Sequence, residues 1–268
     1  MADEGVGAIA MVSLVRMAGL MGSPRIVGEA PDPEPDTPVS LLGAACLGWW
    51  HCDNAALITE SSGLVSSWKD EVAAYDLTGS LAERPTYSAT GWNSSAPGIT
   101  FDGTANVLTL GSVPFPAGAN ASVIWAVVDQ LALAADATAR IIFGYGGDAN
   151  TNQRRLYRSV TSGQNRPFAL TGNGSSAPTA SLAADFSGRH YVRGNFGGSS
   201  TLVNMDGTSS SSTTVTPATG TSRCRMGAIP NATASGFFNG VIREVFVTSG
   251  LTAEQVTAVN AYCAARAA

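Results

Sequence analysis

Lysine is nearly missing from this sequence: Lys69 is the only one, and every other basic side chain is arginine. Charged residues make up 13% of the 268 positions, and the formal net charge is -5. That balance is too weak to draw the protein to a polyanion, which argues against nucleic acid and against an acidic membrane surface as partners. Four cysteines, Cys46, Cys52, Cys224 and Cys263, show no CxxC spacing, and neither His51 nor His190 stands at a zinc-ligand interval from them. A metal cluster is not expected. A disulfide between Cys46 and Cys52 and buried free thiols both stay open. There is no GxSxG elbow, HExxH helix or Walker-type phosphate loop, and no strand-like segment carries alternating acids that would face two carboxylates across a groove. These absences predict a protein that is not an enzyme and holds no cofactor.

What is present is glycine, serine, threonine and alanine in quantity, a composition suited to short strands and many turns. Residues 122–128 are almost all apolar and predict a central strand covered on both faces, and residues 139–145 look similar. Asp206 and Gly207 between two strand-forming segments predict a hairpin. Residues 241–248 predict another strand, with Arg243 and Glu244 on opposite faces. Thr252 and Gln255 form a capping box, Leu251 and Val256 a hydrophobic staple, and Val256, Val259 and Cys263 an apolar stripe, so a C-terminal helix follows.

The first residues differ from the rest. Residues 1–29 read as an apolar, glycine-rich arm, 30–40 as a proline-rich spacer, and 41–268 as the folded domain. Asp3 and Glu4 precede the apolar run and Arg16 interrupts it, which fits neither a signal peptide nor a membrane span. Alternating prolines from Pro31 to Pro38 favour an extended spacer. A segment this short has little core of its own. Val6, Ile9, Met11, Leu14, Met17, Leu20 and Met21 are therefore its expected anchoring residues, docking into a partner or a second copy. Packing along its own domain is the alternative.

The order of segments in residues 41–268 resembles the laminin G-like, concanavalin A-like jelly rolls found in phage and other virion proteins. The residues that carry it are Trp49 and Trp50, the stretch from Gly63 to Asp70 with Trp68, Arg84 to Tyr87, Pro97 to Gly103 with Leu108, and the strand from Ser122 to Val128. The ending from Phe237 to Val247, followed by Leu251 to Gln255 and Tyr262, is its most family-like part. The resemblance implies an all-β jelly-roll sandwich with a C-terminal α-helix and an extended N-terminal arm. It further implies a non-enzymatic virion structural protein, a phage head or tail fibre, spike or decoration component, anchored by its arm. Its partners would be other virion proteins, its own copies in a homotrimer and a host surface glycan. The alternative is a secreted or cell-surface carbohydrate-binding module.

Two sets of residues are candidates for binding. Arginines cluster between Arg154 and Arg193, and Arg155, Tyr157, Arg158 and Tyr191 form a candidate face for acidic glycans or an acidic neighbour, with the tyrosines as stacking surfaces. Solvated strand faces explain the same arginines. Asp102, Asp148 and Asp206 are candidate calcium ligands because they fall in predicted loops and supply hard oxygen donors, although turn geometry accounts for them equally.

Overall fold

The apolar run at 122–128 lies within the strand Ser122–Gln130, in which every side chain is buried except half-buried Asp129. The structure is a computed structural model and describes residues 36–112, 114–131, 138–172, 174–197, 200–212 and 217–268. The predicted anchoring arm, residues 1–29, lies outside the described residues.

In chain order the strands begin with β1 (Cys46–His51), β2 (Ile58–Ser61), β3 (Leu64–Trp68), β4 (Leu77–Thr78), β5 (Thr86–Trp92) and β6 (Ala96–Asp102). They continue with β7 (Leu108–Leu110), β8 (Ser122–Gln130), β9 (Arg140–Gly146), β10 (Gln153–Thr161), β11 (Gln164–Thr171) and β12 (Thr179–Ser181). The last are β13 (Gly188–Phe196), β14 (Leu202–Met205), β15 (Thr208–Ser211), β16 (Arg223–Met226) and β17 (Asn239–Ser249). Helices α1 (Pro38–Leu42) and α2 (Ala253–Ala267) bracket them.

Antiparallel pairing joins these strands into one sheet folded into two layers. The first layer runs β15, β14, β13, β8, β17, and the far edge of β17 is shared by β1 and β6. The second runs β12, β11, β10, β9, β16, β7, β4, β3, β2. Alternation along each strand decides which side chains meet between them. Ile124, Ala126, Val128, Val192, Val245 and Val247 of the first layer pack with Phe143, Tyr145, Leu156, Ala169 and Met226 of the second. Trp50, Trp68 and Phe101 are fully buried in the same core, as large aromatics in a sandwich tend to be. The fold is therefore a two-layered all-β domain with a C-terminal helix. All four cysteines are buried free thiols, which decides between the two alternatives; burial pushes the Cys46 thiol up to about 12.

The outer side of the first layer is covered by α2. Thr252 Oγ1 accepts from the Gln255 backbone N–H, and Gln255 Oε1 accepts from that of Thr252, completing the predicted capping box. Val259 and Cys263 bury their side chains against Trp125, Val127 and Phe246, with Leu42 of α1 in the same cluster. The predicted hairpin is also present, with Asp206 at φ 49 and Gly207 at φ 90 between β14 and β15.

One expectation about β17 is reversed. A bulge between Ile242 and Glu244 inserts an extra residue, so Arg243 and Glu244 both serve the helix side instead of opposite faces. Arg243 Nη1 donates to the Arg266 carbonyl of α2, and Glu244 accepts from Tyr262 and Arg266 of the same helix.

Candidate functional site

Strand β10 sends Leu156 into the core, and with it Arg154 and Arg158 on the same inner side, while Gln153, Arg155 and Tyr157 face outward. Arg154 is fully buried and fully used: it donates to Thr219 Oγ1, Ser122 Oγ and the carbonyls of Gly118 and Asn120. Arg155 is used differently.

Cross-strand register places Arg155 in one outward row with Arg225 of β16, Gly144 of β9 and Leu170 of β11. The row beside it holds Arg223, Gly146 and Gln153. On the other side Tyr157 and Phe168 stack, with ring centroids 5.2 Å apart. The segment after β16 folds over part of this face. Its Ile229 and Asn231 carbonyls accept from Arg225 Nη1 at 3.0 and 2.7 Å, and Asn231 Oδ1 accepts from Gln153 Nε2 at 2.6 Å. Arg223 pairs with Asp148 at 2.6 Å.

Arg155 has no such partner. Its residue is 4% exposed, its guanidinium sits 5.9 Å from the centre of the Tyr157 ring, and it donates no hydrogen bond among the described residues. Of its nitrogens only Nε is wholly enclosed, which leaves Nη1 and Nη2 as the edge a ligand would meet. Burial draws its pKa below the ordinary arginine value, and Tyr157 is the one ionisable neighbour acting on it. Gln153 Oε1, two residues away on the same side, is likewise enclosed without a donor. A guanidinium fork beside an aromatic ring suits a carboxylate next to an apolar sugar face.

The structure brings Arg155 and Tyr157 of the predicted face together and sends Arg158 and Tyr191 elsewhere. Arg158 is fully buried on the inner side of β10, where Nη1 donates to the Thr138 carbonyl. Tyr191 lies on β13 in the other layer, in the cluster beneath α2. The three candidate calcium ligands are each engaged separately. Asp102 caps its own turn by accepting from the Thr104, Ala105 and Asn106 N–H groups; burial would raise its pKa, but these bonds, led by Ala105, lower it to about 2. Asp148 holds Arg223, and Asp206 holds His190 Nδ1 at 2.6 Å. No group of three metal-ligating side chains occurs among the described residues.

A second constellation, under α2, was not singled out from the sequence. Glu244 is fully buried, and its Oε1 accepts from Trp49 Nε1 at 2.5 Å and from Tyr262 at 2.6 Å. Arg266 Nε donates to Oε2 at 3.1 Å and also pairs with Asp53. Burial raises the Glu244 pKa against the pull of Arg266. His51 stacks on Trp49 at 4.1 Å and contacts Glu71 through Nε2. With every Glu244 oxygen committed and no exposure, this group locks the helix to the sheet. The sole local signal for it is the spacing of Tyr262 and Arg266, which shares one helix face.

No protein-family model and no curated protein matches the sequence. Solved structures do. An α-L-arabinofuranosidase of glycoside hydrolase family 54 aligns with a TM-score of 0.60 at 11% identity, over 86% of this chain and 65% of that one. A Trypanosoma rangeli sialidase in complex with sialic acid aligns with a TM-score of 0.55 at 16% identity, over 84% of this chain and 35% of that one. A tailspike protein from an Escherichia coli bacteriophage aligns with a TM-score of 0.50 at 15% identity, over 67% of this chain and 26% of that one. This chain thus spans less than two thirds of the length of these neighbours. At such identities the likeness is one of fold. It corrects the expectation of a non-enzymatic virion structural protein, because the arabinofuranosidase and the sialidase that share the fold are carbohydrate-processing enzymes.

Proposed function

We propose that this domain engages an acidic saccharide on the outer face of its second layer, within a protein that processes carbohydrate. The observation that carries the reading is Arg155, buried beside Tyr157 with no acceptor among the described residues. Burying a charge is unfavourable unless something pairs with it, so a guanidinium kept in that state is a ready partner for a carboxylate. Tyr157 and Phe168 supply the apolar ground for a sugar ring. Arg225, bonded only to neutral acceptors among the described residues, keeps the surrounding field positive. The order of segments and the two-layered architecture support placing the domain among the concanavalin A-like, laminin G-like jelly rolls.

The test is calorimetric titration of the full chain with glucuronate and N-acetylneuraminate, with glucose as the neutral control. Arg155→Ala should weaken acidic-sugar binding at this face on the order of 10- to 100-fold, the worth of one charge-assisted hydrogen bond. Equal affinity in the variant and the parent would sink the reading.

A further inference from the structure

A second buried arginine sits on the opposite outer face. Strand β13 turns Tyr191, Arg193 and Asn195 outward, and register sets Arg193 in one row with Trp125 of β8, Asn204 of β14 and Ser209 of β15. Arg193 is 6% exposed, and its guanidinium lies 5.0 Å from the Trp125 ring centre. Nη1 reaches Asn260 Oδ1 of α2 at 3.5 Å, the outer limit of a hydrogen bond, and Nε is enclosed with no acceptor. Beside it Asn195 Oδ1 is enclosed with no donor. The ionisable groups acting on Arg193 are Tyr191 and Cys263, both uncharged near neutral pH, and burial holds its pKa below the ordinary arginine value. A ring beneath a cation offsets part of the cost of removing it from water and leaves Nη2 without an acceptor among the described residues.

We propose that Arg193, lying between α2 and strands β13 and β14, is a second site for a carboxylated sugar, with its Nη2 edge gripping the carboxylate and Asn260 flanking it. This site shares no residue with the one at Arg155 and stands without it. Trp125 lies under the charge that the ligand would neutralise, so its fluorescence reports occupancy.

The experiment titrates the full chain carrying Arg155→Ala with glucuronate and N-acetylneuraminate, following heat and tryptophan emission, with glucose as control. One class of sites should persist with an emission change. Adding Arg193→Gln should abolish it, and Arg193→Lys, which keeps the charge but loses the fork, should weaken it on the order of tenfold. The single variant Arg193→Gln should keep the site at Arg155, so the two proposals fail separately. Absence of any acidic-sugar binding by the Arg155→Ala protein overturns the second site. So does parent-like binding by a folded Arg193→Gln or Arg193→Lys variant in the Arg155→Ala background. The lysine variant serves if the glutamine variant does not fold.

Discussion

The Tyr262 hydroxyl donates to Glu244 Oε1 at 2.6 Å, tying the C-terminal helix to a carboxylate that a bulge in β17 turns toward it. Arg266 supplies the compensating charge at 3.1 Å. Tyr262→Phe should cost about 1–2 kcal/mol by removing one donor. Arg266→Met should cost more, about 3–5 kcal/mol, because it leaves a fully buried carboxylate without its cation. Urea unfolding curves measure both, and the reverse order would contradict the arrangement.

Arg154 and Arg155 are neighbours in sequence with opposite duties. Arg154 donates to side chains and carbonyls that hold two loops and the start of β8, so Arg154→Met should cost several kcal/mol, of the order seen when buried charged networks are broken. Arg155→Leu should instead leave thermal stability unchanged or raised while acidic-sugar binding falls, since it replaces an unpaired buried charge with apolar surface. Melting temperature and titration on the same samples decide it. A large loss of stability for Arg155→Leu would place that side chain in the architecture.

Gly144 lies between Arg225 and Arg155, and a Cβ there would come within 2.8 Å of Arg155 Cγ and 3.2 Å of the Arg154 carbonyl. Gly144→Ala should therefore push Arg155 out of place. The expected result is weaker sugar binding together with a stability loss of about 1–3 kcal/mol, typical of overpacking. Binding at parental strength would show that Arg155 does not set the affinity.

Burial alone would lower the His51 pKa, but Asp53 and Glu71 outweigh it and raise the value above the ordinary histidine one. His190 moves the same way through Asp206. Because the folded values exceed the unfolded one, about 6.5, the stabilisation is fully present below that pH and is lost as pH rises through the folded values. Unfolding free energy should decline from pH 6 upward, and His51→Asn should flatten part of that slope. An unchanged slope would mean that the pairs do not form.

Local signals in the sequence were sufficient for the strand at Ser122–Gln130, the Asp206 and Gly207 hairpin, and the capped helix, because each depends on neighbours a few residues apart. The bulge at Ile242 was not readable: it arises from pairing with β8, far away in the chain. Arg155 and Tyr157 stand two apart in a strand and share a face, whereas Arg158 follows the opposite parity, so alternation already separated them. Tyr191 had no such signal, since its layer depends on which strands pair. The knot around Glu244 gathers residues from β1, β17 and α2, and nothing local connects them. Nor could composition show that carbohydrate-processing enzymes have a similar fold, because fold and chemistry are separable.

Pairing of β1 with β17 limits how far this domain tolerates trimming. The first and last strands of the described fold lie edge to edge, and α1 joins α2 in one apolar cluster. The two ends of the described fold therefore cover each other, so trimming either one bares apolar surface on the other.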